Sequence, residues 1–115
     1  EHSKAWDAMS GAFGELGSLL KQAQQMQRDL DRVREELKSR TVEGTAGGGT
    51  VKVIVTGDRQ VTKVEIDREL LAKPDKALLE DLLLIALRDG LGRAGKMSAE
   101  ALGRVTGGIN LPGLF

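Results

Sequence analysis

Cysteine is missing from all 115 residues, which excludes disulfides and thiolate metal sites. The single histidine, His2, lies near the terminus and is too few for a multi-histidine site, so no metal and no cofactor is expected. Aromatic residues are scarce: Trp6, Phe13 and Phe115, with no tyrosine. That argues against a base-stacking surface of the single-strand or RNA-recognition type. No apolar run approaches membrane-spanning length, because Glu80-Asp81 and Arg88-Asp89 bracket the leucine-rich segment. Nothing resembles a signal peptide, and the expectation is a cytoplasmic protein with no membrane partner. Excess charge is also absent: 17 Lys and Arg balance 17 Asp and Glu, which by itself gives no reason to expect nucleic acid. No Ser-His-Asp or Cys-His set exists, and neighbouring carboxylates such as Glu35-Glu36 and Glu80-Asp81 sit in helical runs with basic neighbours. The reading is therefore not an enzyme, with no small-molecule substrate.

What is present is organised around residues 41–67. Val51, Val53 and Val55 recur at period two, so they share one face of a strand, with Lys52 and Thr56 on the other. Thr62, Val64 and Ile66 repeat the period, and Gly57-Asp58-Arg59 between the runs is turn chemistry of hairpin length. Thr41-Val-Glu-Gly-Thr-Ala46 is a weaker run, suited to an edge, joined through Gly47-Gly48-Gly49. A three-stranded antiparallel meander results. It has two open edges and one apolar face, neither of them stable bare in water.

Ahead of the sheet, Leu16, Leu19, Ala23, Met26, Leu30, Val33 and Leu37 follow alternating spacings of three and four. This heptad rule predicts a helix from about Leu16 to Arg40, roughly 37 Å long, more than the sheet can cover. Glu1 to Ser10 show no such period and are read as an N-terminal extension or tag remnant (residues 1–12) before one domain, 13–115. On the outward side of the helix, Lys21, Gln25, Arg28 and Arg32 form a polar stripe closed by Glu35 and Glu36. Such stripes are most often solvated faces, but this spacing also suits successive phosphates along a groove edge.

After the sheet, Asp67 is placed to cap a short turn, and Pro74 and Asp75 suit the first turn of a second long helix. That helix is apolar all round between Leu82 and Leu87 and must be covered on two sides. One side is the sheet. For the other, self-association through Leu82, Leu83, Ile85 and Ala86 is expected. Gly90-Leu-Gly-Arg-Ala-Gly95 matches G-x-G-x-x-G, but a helical run rather than a strand precedes it, and the only downstream acid is Glu100. Close helix packing or a kink is the better reading. Gly47-Gly48-Gly49 likewise lacks the Gly-Lys-Ser/Thr of a phosphate loop. The apolar residues at 109, 111, 114 and 115 have no period and are expected to lie against an apolar surface.

Charge is segregated although its total is zero: +2 over residues 21–40, −3 over 65–81 and +2 over 88–104. Leu19-Leu-Lys-Gln-Ala-Gln-Gln-Met26, the Val51-Lys-Val run, Val64-Glu-Ile-Asp67, Leu79-Glu-Asp-Leu82 and Gly107-Gly-Ile-Asn-Leu-Pro112, in that order, resemble the YbaB/EbfC family of bacterial nucleoid-associated proteins. The resemblance runs from about Phe13 to Phe115. It implies an α+β subunit of order α-β-β-β-α that forms a homodimer through its sheet and projects paired helices as arms gripping duplex DNA. It further implies a place in the nucleoid and DNA contacts at Lys21, Arg28, Arg32, Arg93 and Lys96. The scarce aromatics and modest basic excess suit phosphate contacts with little base reading, hence little sequence specificity. The competing reading is a dimeric protein–protein interaction module that binds no nucleic acid.

Overall fold

The alternating valines set the strands. In the computed structural model, which describes residues 2–107, β1 spans Thr41–Ala46, β2 Val51–Thr56 and β3 Val61–Ile66, antiparallel in the order β1-β2-β3. A first helix, α1, runs His2–Leu37; a short one, α2, Arg68–Ala72; and a long one, α3, Lys76–Val105. The α-β-β-β-α order is thus present, with α2 where a turn was expected. Asp67 caps α2, accepting from the Glu69 amide at 3.5 Å, and Asp75 caps α3, accepting from the Leu78 amide at 3.1 Å. Pro74 therefore lies just before the cap and not inside the helix. Gly47–Gly49 forms a single 3-10 turn with φ of 60, 69 and 93°, a left-handed region that glycine enters without steric penalty.

The register of β3 differs from the simple alternation. Val51 pairs with Ile66, Val53 with Val64 and Ile54 with Lys63, but Val55 pairs with Val61, so a bulge leaves Thr62 unopposed. Val61 thereby replaces Thr62 in the apolar set, because directly paired residues share a face.

Two cores result. Val51, Val53 and Val55 are fully buried against Ala86 and Ala94 of α3, with Ala46 beside them. Small residues at 86, 90 and 94, one turn apart, bring α3 down onto the sheet. A Cβ placed on Gly44 would lie 2.2 Å from the Ala86 carbonyl oxygen and 2.3 Å from the Gly90 nitrogen, so β1 and α3 meet backbone to backbone. Helix α3 runs unbroken through the Gly90–Gly95 cluster. The second core joins Leu30, Val33 and Leu37 of α1 to Ala101 and Leu102 of α3.

Among the described residues the heptad stripe is therefore covered only at its C-terminal end, while Leu16 and Leu19 stand exposed. The helix also starts well before Leu16 and takes in the segment read as an extension. At 36 residues α1 is about 54 Å long, and the molecule measures 90 × 21 × 16 Å. Its radius of gyration of 23.6 Å far exceeds the roughly 13 Å of a compact chain of this length. The expected packing of the C-terminal tail falls, from residue 108 on, outside the described residues.

Candidate nucleic-acid interface

Three basic surfaces lie along the two long helices. The first is the outer stripe of α1, where Lys21 and Arg28 flank Gln22, Gln24 and Gln25 over a shallow depression. Helical spacing stacks these side chains, and they bond along the helix. Arg28 Nη2 donates to Gln25 Oε1 at 2.8 Å, and Gln25 Nε2 donates to Asp29 Oδ1 at 3.0 Å. Arg32 donates through Nη1 to the same Asp29 oxygen at 3.2 Å and approaches Glu36 at 3.7 Å. Lys21 and Arg28 are free of carboxylate partners among the described residues, whereas Arg32 sits between two. Exposed pairs of this kind are worth under about 1 kcal/mol, so a phosphate can replace either acid.

The second surface lies where α3 crosses β1. Arg93 and Lys96 line a hollow with Val42, Glu43 and Thr45 of β1 and with Met97 and Glu100 of α3. Arg93 Nε donates to Asp89 Oδ1 at 3.0 Å, and the other oxygen, Oδ2, accepts from the Thr45 amide at 3.0 Å. Asp89 thus occupies one outward-facing amide of the β1 edge and orients Arg93 in the same contact. The Thr45 amide first, and Arg93 second, hold the Asp89 carboxyl below its ordinary pKa. Lys96 is unpaired among the described residues.

The third surface was not legible in the sequence. Arg32, Arg40 and Arg104 line one groove between the last turns of α1 and α3, together with Asp29 and Glu36. The β2–β3 turn positions its floor: the Gly57 amide donates to the carbonyls of Leu37 and Arg40, both at 2.9 Å. A Cβ on Gly57 would lie 2.7 Å from the Leu37 oxygen, so only glycine fits there without a shift. Arg40 and Arg104 have no ion-pair partner among the described residues. Their separation of 64 residues gives no periodic signal that would join them; only the α1–α3 packing does so. Arg59 is a further missed cation. It adopts φ 64°, and its Nη2 lies 3.2 Å from where a Gly95 Cβ would stand, on the body of α3.

Of the five expected DNA contacts, Lys21, Arg28 and Arg32 thus lie on α1, the last also lining the third groove, and Arg93 and Lys96 lie beside β1. Of the four expected dimer contacts, Ala86 is fully covered by its own sheet and Leu82 and Leu83 are half-buried against it, while Ile85 stands open beside Leu84. Open apolar surface also occurs on β3. Helix α3 packs on β1 and β2, and Val61 and Val64 remain exposed, as does Leu71 on α2. Among the described residues no group of three or more His, Cys, Asp or Glu could hold a metal ion, and no helix is long and apolar enough to cross a membrane.

Comparison with known proteins gives a consistent result. The profile of the YbaB/EbfC DNA-binding family matches residues 13–109. A nucleoid-associated protein of Thermoanaerobacter pseudethanolicus is 43% identical over 105 residues, covering 91% of this chain and 94% of its own. One from Alkaliphilus metalliredigens is 37% identical over 112 residues, covering 97% of each chain. Among solved structures, the crystal structure of an uncharacterized protein from Helicobacter pylori aligns with a TM-score of 0.67 at 26% identity, covering 82% of this chain and 96% of that one.

Proposed function

We infer the function from one premise: the chain belongs to the YbaB/EbfC DNA-binding family, and its relatives are named nucleoid-associated proteins. On that premise the protein is a nucleoid-associated DNA-binding protein whose role is binding and not catalysis. We propose that it acts as a homodimer that holds duplex DNA between projecting arms with little sequence preference.

The observation that carries this reading is the α1 arm. It extends far past the sheet and carries Lys21 and Arg28 on its outer face with no carboxylate bound to either. The groove cations Arg40 and Arg104 continue the basic surface towards the body. Charge without aromatic platforms favours phosphate contacts over base reading. The open apolar face of β3 supports the homodimer, since a second copy would cover Val61 and Val64.

The test is a gel-shift titration with unrelated duplexes at several salt concentrations. If Lys21, Arg28 and Arg32 act from both arms, about six phosphates are neutralised, and log affinity falls against log salt with a slope near −5. Arg28→Glu with Arg32→Glu should weaken every duplex alike and flatten that slope, with the melting transition little changed. Retained binding in the doubly reversed protein would move the interface to Arg40 and Arg104. No binding by the native protein at low salt would favour the interaction-module reading instead.

A further inference from the structure

We propose that the free half of α1 is a self-association surface. Trp6, Met9, Phe13, Leu16, Leu20 and Ala23 form the seam of an antiparallel two-stranded coiled coil with the same segment of a second copy. Their spacings are three, four, three, four and three, the a/d alternation of a heptad, over about 26 Å of helix. Trp6 is 70% exposed, Phe13 64% and Leu20 63%, and Met9, Leu16 and Ala23 are exposed as well.

The seam is continuous with packing already present. Residues 9, 16, 23, 30 and 37 form one column, seven apart. Below Met26, that column is joined by Met26 and Val33 on one side and meets α3. Above it, Trp6, Phe13 and Leu20 join from the other side, so the apolar stripe turns away from the α3 side. Helix α3 packs at the Leu30–Leu37 level and ends at Val105, leaving the upper seam uncovered among the described residues.

Three features favour a second copy over a bilayer or an unrelated protein surface. A helix lying on a broad surface needs a wide apolar stripe, whereas an a/d seam with one further large apolar residue at its flank, Leu19, suits one facing helix of equal period. The polar side is balanced, Lys4 and Lys21 against Asp7 and Glu15, and offers no attraction to an anionic membrane. The positions flanking the seam, Ser10, Ala12, Gly17, Leu19 and Gln24, are uncharged, so two copies meet without repulsion, and the small ones permit close approach.

Orientation follows from side-chain size. In an antiparallel pair, a layers face d layers: Trp6 meets Ala23, Met9 meets Leu20 and Phe13 meets Leu16, about a two-fold axis between residues 14 and 15. Large then opposes small at the ends, and each layer fills. A parallel pair would stack two indoles in one layer and two alanines in another. This contact rests on neither DNA binding nor the β3 face.

The absence of cysteine allows a clean test. The double variant Met9→Cys/Leu20→Cys, oxidised at low micromolar concentration, should give a non-reducing gel band at twice the 12.3 kDa chain mass. Each single variant should stay at one chain mass. Copies of the same position lie eleven residues apart along the pair, about 16 Å, beyond the roughly 7 Å Cα reach of a disulfide. Ser18→Cys, outside the seam, should also stay unlinked. Adding Phe13→Lys to the double variant should remove the band while circular dichroism shows the helix intact. No band from the double variant, a band from Met9→Cys alone, or a band that survives Phe13→Lys would each overturn the proposal.

Discussion

Glycine chemistry at residue scale separates positions that look alike. Gly90 and Gly92 belong to one motif, but a Cβ on Gly90 would lie 2.9 Å from the Cγ2 atoms of both Val53 and Val55, whereas one on Gly92 meets nothing within 4 Å. Gly90→Ala should therefore lose about 1–3 kcal/mol through overpacking. Gly92→Ala, in open helix, should gain about 0.5–1 kcal/mol from helix propensity. Paired urea denaturation curves would check both signs. Asp89 makes a second prediction. Its pKa is depressed in the folded protein, first by the Thr45 amide and then by Arg93. The stability it contributes is present above the ordinary carboxylate pKa of about 3.9 and is lost as pH falls through the lower folded value. Asp89→Asn should remove that share of the acid sensitivity, so its urea midpoint should fall less steeply below about pH 4 than that of the unmodified chain.

Among elements, α1 is held, within the described residues, by its last third alone. Leu30, Val33 and Leu37 bury against α3, and Gly57 ties the Leu37 carbonyl to the β2–β3 turn. Leu30→Ala should therefore cost about 2–5 kcal/mol locally. It should speed amide hydrogen exchange throughout α1 more than in β2, whose valines belong to the other core. Equal acceleration in both elements would mean that the two cores unfold as one. The strands and the Asp67 cap were readable because alternation and Asp chemistry act over a few residues, whereas Asp75, read inside the first turn of the second helix, proves to be its cap. The bulge at Thr62 was not, since a one-residue shift in pairing depends on the partner strand. The early start of α1 was missed because its apolar period changes sides near Met26: a frame drawn through Leu19, Met26 and Val33 passes over Trp6 and Phe13.

For the whole molecule, the open face of β3 is the feature that a single chain leaves unresolved. Val61 and Val64 are each more than two-fifths exposed on the face whose other half is dry core. Burying such a side chain contributes about 1.5–3 kcal/mol. We expect light scattering at micromolar concentration to show at least twice the chain mass, and Val64→Lys to lower it by weakening the β3 contact. A native monomer at that concentration would refute the homodimer.

Local pattern in the sequence determined the three strands, the two long helices, their order and the family resemblance, because period two, heptad spacing and turn glycines are short-range properties. It also placed a helix, not a strand, ahead of the G-x-G-x-x-G run. Only the tertiary structure decided which face each element spends. It closed Ala86 and Gly90 under the sheet, left Ile85 and Val64 open, and brought Arg40 beside Arg104. It also fastened Asp89 to the β1 edge. Those outcomes depend on where α3 crosses the strands, and that crossing is set by backbone contact between Gly44 and Gly90, two glycines whose closeness no local period encodes.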